Sequence, residues 1–185
     1  MQTQPSPRPT PRPATEDRPT RPDLRVVAPV RSSRRFRAFA IVTAALVAAG
    51  GYVHLCLYRH GYRTIPKIGV GFLLQVLTSA VVVVALLIGP HRVARIAGAV
   101  HLTDRWAGIL TGLSAAALAA GTLVAFALTR TPGGLFNFQE RGLQPAPQAL
   151  IALVAESGVL VVLGAWLITD HIVRRESRAV AVSRV

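Results

Sequence analysis

The sequence predicts an all-α membrane protein, a bundle of four transmembrane helices that follows a disordered N-terminal tail. Of the 185 residues, 51% are hydrophobic and 16% are charged, whereas a soluble domain typically has about 25% charged residues. None of the 21 Lys and Arg residues lies within the four longest apolar runs. Every proline beyond the tail lies between those runs, so none of the runs contains a helix-breaking residue.

The N-terminal tail is assigned to residues 1–36. It contains eight of the 13 prolines, many Arg residues and few large apolar side chains. Such a segment buries too little apolar surface to offset the conformational entropy lost on ordering, so we predict disorder. The alternating prolines from Pro5 to Pro13 favour extended, polyproline-like conformations. A linker is the preferred interpretation, ahead of a ligand for a proline-binding domain.

The four apolar runs are predicted to be helices that cross the bilayer. They cover residues 39–58, 68–89, 106–128 and 149–168. At 1.5 Å per residue, each run can cross a hydrocarbon core of about 30 Å, and in lipid only a helix satisfies its own backbone hydrogen bonds. The first run is interpreted as an uncleaved helix because a long segment precedes it and three spans follow. The transmembrane domain is thus residues 37–172, with a short C-terminal tail at 173–185.

The basic residues predict the orientation. Sixteen either precede Ala38 or lie in the second loop and the C-terminal tail, and five lie in the first and third loops. The positive-inside rule therefore predicts a multi-pass plasma-membrane protein with both termini in the cytoplasm. This distribution also accounts for the net charge of +13, so the lipid bilayer is the expected partner and nucleic acid is not. Short connections predict antiparallel neighbouring helices.

Four polar side chains fall in the outer halves of the predicted helices: His54, Gln75, Thr122 and Glu156. Their depths, about 6 to 12 Å at the helical rise, place them in one layer. Polar groups in a membrane normally face the bundle interior, so we expect Glu156 to hydrogen-bond or pair with His54, with Gln75 nearby. The layer is either a polar clamp that fixes helix register or an outward-facing pocket for a small ligand or a proton. A Glu156 that faces lipid or a self-association surface is a third interpretation.

The two outer loops are expected to meet. Tyr62 and Arg63 lie in the first loop, and Glu140 and Arg141 lie in the third. The third loop is interpreted either as a turn at the membrane interface or as a lid over the polar layer. A separate GxxxG spacing, Gly108 and Gly112, is expected to pack within the bundle, although such motifs also support homo-oligomers.

The sequence shows no signature of a known reaction. It has no HExxH, Walker A, GxSxG or GxGxxG motif. The single cysteine, Cys56, permits neither an internal disulfide nor a cysteine-based metal site. Only His54 of the five histidines lies well within a span, so a haem held by two histidines is not predicted. We expect no metal, no cofactor and no enzymatic activity.

Residues 54–58, 61–66, 68–69, 72–75, 134–142, Pro145 and 155–156 resemble the corresponding stretches of small integral membrane proteins of actinobacteria. The resemblance extends over roughly residues 40–170. It implies a four-helix membrane fold and an actinobacterial source, and it implies no reaction. The sequence therefore predicts a structural or accessory membrane protein that acts through a membrane-protein partner or a second copy. The alternative is a small-molecule or proton-handling protein with an outward-facing pocket around Glu156 and His54.

Overall fold

Helices make up most of the chain that the computed structural model describes, residues 30–96 and 103–182. The chain divides into the units Met1–Val30 and Arg31–Val185, and nearly all the described residues belong to the second. The helices are α1 (Val30–Arg59), α2 (Ile68–Ile88), α3 (Pro90–Ile96), α4 (Asp104–Leu128) and α5 (Gln148–Val182), with a 3-10 turn at Tyr62–Thr64.

Four segments within the described residues are long and apolar enough to cross a membrane. They are Arg34–Arg59, Ile68–Ile88, Asp104–Leu128 and Gln148–Glu176. The predicted all-α, four-span fold is confirmed, and the chain is a multi-pass membrane protein. The short helix α3 lies in the second loop.

Two boundaries differ from the prediction. Helix α1 begins at Val30, directly after the last proline of the tail, so residues 30–36 are helical rather than part of a tail. Helix α5 continues through residues 173–182 because no Gly or Pro ends it there. An ion pair one turn apart, Arg174 Nε to Asp170 Oδ2 at 2.6 Å, supports this extension. The rest of the tail prediction, residues 1–29, lies outside the described residues.

Neighbouring helices are antiparallel, as the short loops predict. Phe36 near the start of α1 meets Trp166 near the end of α5, with ring centroids 5.9 Å apart. Further along α1, Gly50 lies against Glu156 near the start of α5. Helices α1 and α2 are also antiparallel.

Helix α1 is the most enclosed of the four spans. Half of the residues in its apolar window are buried, 50%, against 11% for α2, 11% for α4 and 22% for α5. A buried cluster links all four helices through Val47, Val82, Ala115, Ala119 and Val159. The two alanines on α4 are fully buried, and such small residues let helix backbones approach closely.

The Gly108–Gly112 pair lies at the opposite end of the bundle from the first and third loops. Gly108 packs within the chain, since a Cβ atom placed on it would lie 3.8 Å from Pro90 Cβ. Gly112 lines a small cleft beside it. A Cβ atom placed on Gly112 would meet no atom within 4 Å, so close helix packing at this residue stays a prediction.

Candidate functional site

A cavity of about 220 Å³, here called the loop-side cavity, lies at the end of the bundle that carries the first and third loops. Side chains from α1, α2, α4, α5 and both loops form its wall. An apolar protein cavity of about 150 Å³ is known to hold benzene, whereas drug-sized ligands need about 300 to 1,000 Å³. The loop-side cavity therefore has room for one small molecule.

Three of the four polar residues predicted to share a layer lie on the cavity wall: His54, Gln75 and Thr122. His54 Nδ1 donates a hydrogen bond to the backbone oxygen of Gly50 at 2.8 Å. Thr122 Oγ1 donates to the backbone oxygen of Leu118 at 2.9 Å. Each of these two side chains is thus tied to its own helix.

Glu156 is the fourth predicted residue, and it lies behind the wall rather than on it. Its side chain is buried, with 2% of the residue exposed. Gln75 Nε2 donates to Glu156 Oε1 at 3.2 Å. On the other side the carboxyl group touches Gly50, where an added Cβ atom would lie 2.6 Å from Oε1. Glu156 therefore joins α5 to both α1 and α2.

The expected pairing of Glu156 with His54 is wrong for the structure described. Both side chains lie next to Gly50, but they contact different parts of it. His54 contacts the backbone oxygen of Gly50, whereas the carboxyl group of Glu156 lies where a side chain on Gly50 would be. The His54 ring bonds the carbonyl one turn earlier on its own helix, and its ring packs 5.1 Å from that of Phe72. Gln75 takes the place next to Glu156. The pocket expected around Glu156 consequently ends at Gln75.

Tyr62 joins the first loop to the third, as the sequence predicted for this pair of loops. Its hydroxyl donates a hydrogen bond to the Glu140 carboxylate. Its ring stacks on Phe72 with centroids 4.8 Å apart and meets Phe138 edge-on at 5.8 Å. Burial, together with the adjacent Glu140 carboxylate, raises the pKa of Tyr62 above its usual value, so the phenol stays protonated at neutral pH.

Arg130 holds the third loop against the end of α4. Its Nη1 lies 3.1 Å from Glu140 Oε2. Its Nε and Nη2 donate to the backbone oxygens of Gly142 at 3.0 Å and Gln144 at 2.8 Å. Nη1 also reaches the backbone oxygen of Phe126 at 3.1 Å, which is a carbonyl of the last helical turn. The guanidinium is therefore occupied by protein groups.

A tight turn in the third loop forms the roof of the cavity. Leu135 and Phe138 exchange two backbone hydrogen bonds of 2.9 Å. The residues between them, Phe136 and Asn137, have φ values of 55° and 65°, as a two-residue primed turn requires. Gly134 precedes this turn with φ 62°, and a Cβ atom on it would lie 2.1 Å from Phe138 O. Leu135, Phe136 and Phe138 line the cavity, so the loop has the position of the lid that the sequence offered as one interpretation.

Two predicted loop residues are not on the wall. Arg63 and Arg141 are exposed and do not line the cavity. Sequence reasoning missed Lys67, Phe72 and Arg130, which do line it. Helical spacing could have identified Phe72, three residues before Gln75 and so on the same face. The signal for Arg130 is a cation directly after the last turn of a span, where helix carbonyls lack partners.

The wall favours binding over chemistry. Most of it is apolar, and its charged groups on the loop side contact one another or an aromatic ring. Lys67 Nζ, for example, lies 5.3 Å from the centroid of the Phe136 ring, a distance suited to a cation–π contact. Within residues 30–96 and 103–182, His, Cys, Asp and Glu side chains form no group of three or more that could hold a metal ion.

Comparisons of the chain with protein-family models, with curated proteins and with solved structures give no match. The site is therefore interpreted from its own geometry. The resemblance to small actinobacterial membrane proteins stays a prediction.

Proposed function

We propose that this protein binds a small, mainly apolar molecule in the loop-side cavity. The observation that supports the proposal is the cavity itself, about 220 Å³ of space among four helices beneath a structured loop. A well-formed apolar pocket with a few convergent polar groups is the usual form of a small-molecule site. Here His54, Gln75 and Thr122 are those polar groups.

Two glycines leave the cavity open on its membrane side. Gly71 on α2 and Gly121 on α4 both line it, and both are exposed. A Cβ atom placed on either would meet no atom within 4 Å. Nearer the other end, α2 and α4 are held together by Val82, Ala115 and Ala119. This geometry supports an entrance from the lipid between the two helices.

The protein is proposed to have a defined orientation in the membrane and to bind its ligand without catalysing a reaction. On the basic-residue distribution, both termini lie in the cytoplasm and the cavity lies in the outer half of the plasma membrane. Binding without catalysis is proposed because most of the wall is apolar and its charged groups contact one another or an aromatic ring. Proton handling through Glu156 has less support, because Glu156 does not reach the cavity.

A structural or accessory role is the second candidate, and the position of Glu156 favours it. Glu156 hydrogen-bonds Gln75 and touches Gly50, so its contacts join three helices of the same chain. That is the arrangement expected of a polar clamp that fixes helix register. A partner membrane protein or a second copy would then contact the outer faces of the bundle.

The two candidates are separated by filling the cavity. Gly121→Leu places a side chain in the open space, and we expect it to lower the affinity for fluorobenzene at least tenfold while the bundle stays folded. Gly164→Leu is the matched control, since Gly164 on α5 is also unobstructed but lies off the cavity wall.

The measurement is ¹⁹F NMR of fluorobenzene with each purified protein in detergent micelles. Empty micelles give the partitioning background. Binding by the wild type and Gly164→Leu, lost in Gly121→Leu, supports the proposed function. Equal signals for all three proteins would contradict it and leave the accessory role.

A further inference from the structure

The polar groups deep in the loop-side cavity are oriented in a common way. His54, Gln75 and Thr122 come from three different helices, and each donates a hydrogen to an oxygen of the protein. His54 donates through Nδ1, so Nε2 of the neutral ring is an acceptor. Gln75 donates through its amide nitrogen, so its carbonyl oxygen is an acceptor. The Thr122 oxygen keeps its lone pairs.

None of these three acceptors has a hydrogen-bonded partner among the described residues. His54 is 8% exposed, and all three side chains line the cavity. An acceptor removed from water without a partner is costly. Gln75 also keeps one amide hydrogen. The deep wall therefore offers three acceptors and one donor to whatever occupies the cavity.

That set suits a hydroxyl group better than an ether, a ketone or a carboxylate. A hydroxyl donates one hydrogen and accepts another, so it can satisfy an acceptor of the wall and the Gln75 amide together. An ether, a ketone or a carboxylate brings acceptors alone. A carboxylate would also face the His54 and Thr122 lone pairs inside an apolar environment, where an unpaired charge is strongly disfavoured.

The cations of the site lie at its roof, next to the third loop. Lys67 precedes Gln75 by eight residues, which is about 12 Å along a helix. Its ammonium group lies over the Phe136 ring, and the Arg130 guanidinium is bound to Glu140 and to loop carbonyls. An anionic ligand would therefore bind near the roof, whereas a hydroxyl would bind at the deep wall.

We infer that the ligand of the loop-side cavity is a neutral molecule about one ring in size that carries a hydroxyl group, such as a phenol. The hydroxyl donates its one hydrogen to an acceptor among His54, Gln75 and Thr122 and accepts a hydrogen bond from the Gln75 amide. The apolar body contacts the α2 and α4 side of the wall. The inference rests on the proposed function and adds the chemical class of the ligand.

The experiment compares three probes of similar size by ¹⁹F NMR in detergent micelles: 4-fluorophenol, 4-fluoroanisole and 4-fluorobenzoate. Cavity binding is the signal that the wild type gives beyond Gly121→Leu at equal detergent concentration. We expect 4-fluorophenol to bind about threefold to tenfold more tightly than 4-fluoroanisole, the effect of roughly one net hydrogen bond. The benzoate should bind more weakly than the phenol.

Thr122→Val removes one acceptor and conserves shape. It should reduce the ratio of the phenol affinity to the anisole affinity relative to the wild type. Thr111→Val is the matched control, because Thr111 makes the same hydrogen bond to the carbonyl one turn earlier on α4, at 2.8 Å, away from this cavity.

The outcomes separate the two proposals. If all three probes bind the wild-type cavity and the phenol has no advantage, or if the benzoate binds best, the hydroxyl assignment is overturned and the proposed function stands. If no probe distinguishes the wild type from Gly121→Leu, the proposed function fails with it.

Discussion

At the residue scale, Glu156 is held by neighbours that suit a buried carboxyl group. Gln75 donates a hydrogen bond to it, and the absence of a side chain on Gly50 lets the carboxyl approach the α1 backbone. Hydrogen bonds between helices in membranes contribute modestly, about 0.6 kcal/mol on average and up to about 1.7 kcal/mol. Glu156 is thus expected to fix the positions of α1, α2 and α5 more than to supply most of their stability.

A double-mutant cycle tests this contact. For Gln75→Leu and Glu156→Leu we expect a coupling of about 0.6 to 1.7 kcal/mol in the free energy of unfolding, because the two side chains share a hydrogen bond. The cycle of His54→Phe with Glu156→Leu should couple by less than about 0.5 kcal/mol. Unfolding in mixed detergent and SDS measures both cycles, and a larger coupling for His54 would restore the pairing that the sequence suggested.

Because of Tyr62, the free energy of unfolding should depend on pH in the alkaline range. Its pKa is raised in the folded protein, whereas an unfolded tyrosine titrates near about pH 10. Below that pH both states keep the proton, so stability is unaffected. Above it the unfolded chain ionises first, and the free energy of unfolding should fall by at most about 1.4 kcal/mol per pH unit.

Tyr62→Phe supplies the control for that prediction. The variant lacks the titrating hydroxyl, so its stability should decline less steeply than that of the wild type between about pH 10 and about pH 11. Unfolding curves at fixed detergent composition provide the measurement. Parallel declines in the two proteins would show that Tyr62 does not keep its proton preferentially in the folded state.

At the scale of the elements, the paired glycines of α1 explain why this helix is central. Gly50 faces Glu156 on α5, and Gly51 faces Ser79 on α2. A Cβ atom on Gly51 would lie 2.7 Å from Ser79 Cβ, an atom that cannot move without its helix. Adjacent glycines thus allow α1 to approach two different helices closely, at nearly the same depth.

Gly51→Ala should therefore be destabilising. Because the added methyl group would force α1 and α2 apart, we expect a loss of about 1 to 3 kcal/mol in the free energy of unfolding. Gly164→Ala should instead be neutral or stabilising by up to about 1 kcal/mol, since it meets no neighbour. SDS-induced unfolding of the two variants decides the point, and equal stabilities would show that the α1–α2 contact is looser than described.

The elements differ in how well the sequence predicts them. The second and third spans are predicted to within two residues, because hydrophobic runs bounded by Pro, Gly and charged residues determine them. The roof of the cavity is harder to predict from the sequence, since Phe136 adopts a positive φ that its side chain disfavours. Hydrophobicity also cannot reveal that Gln75 rather than His54 faces Glu156, because that depends on the rotation of each helix about its axis.

At the scale of the whole molecule, the polar layer has two compartments. His54, Gln75 and Thr122 face the cavity, and Glu156 is enclosed by helices. The sequence correctly predicts that the first and third loops lie at one end of the bundle, as the Tyr62–Glu140 contact shows. The division of the polar layer into residues on the cavity wall and a clamp behind the wall depends on tertiary packing, which the sequence does not reveal.

The proposed orientation can be tested by labelling on intact cells. In a Cys56→Ser background, Leu143→Cys places a thiol in the third loop and Glu176→Cys places one on the distal part of α5, both at exposed positions. The positive-inside rule leads us to expect that a membrane-impermeant maleimide labels the first variant directly and the second only after permeabilisation. The reverse pattern would place the cavity on the cytoplasmic side.

The roof and the two glycines of the cavity wall differ in how closely they are packed, and this difference bears on how a ligand would enter. Arg130 holds the roof to the bundle through several contacts, whereas a Cβ atom on Gly71 or Gly121 would meet no neighbour within 4 Å. On the proposed function, the ligand would exchange with molecules already dissolved in the bilayer. Occupancy would then depend on the concentration of the ligand in the lipid phase, so a compound that partitions strongly into membranes would saturate the protein at very low aqueous concentration.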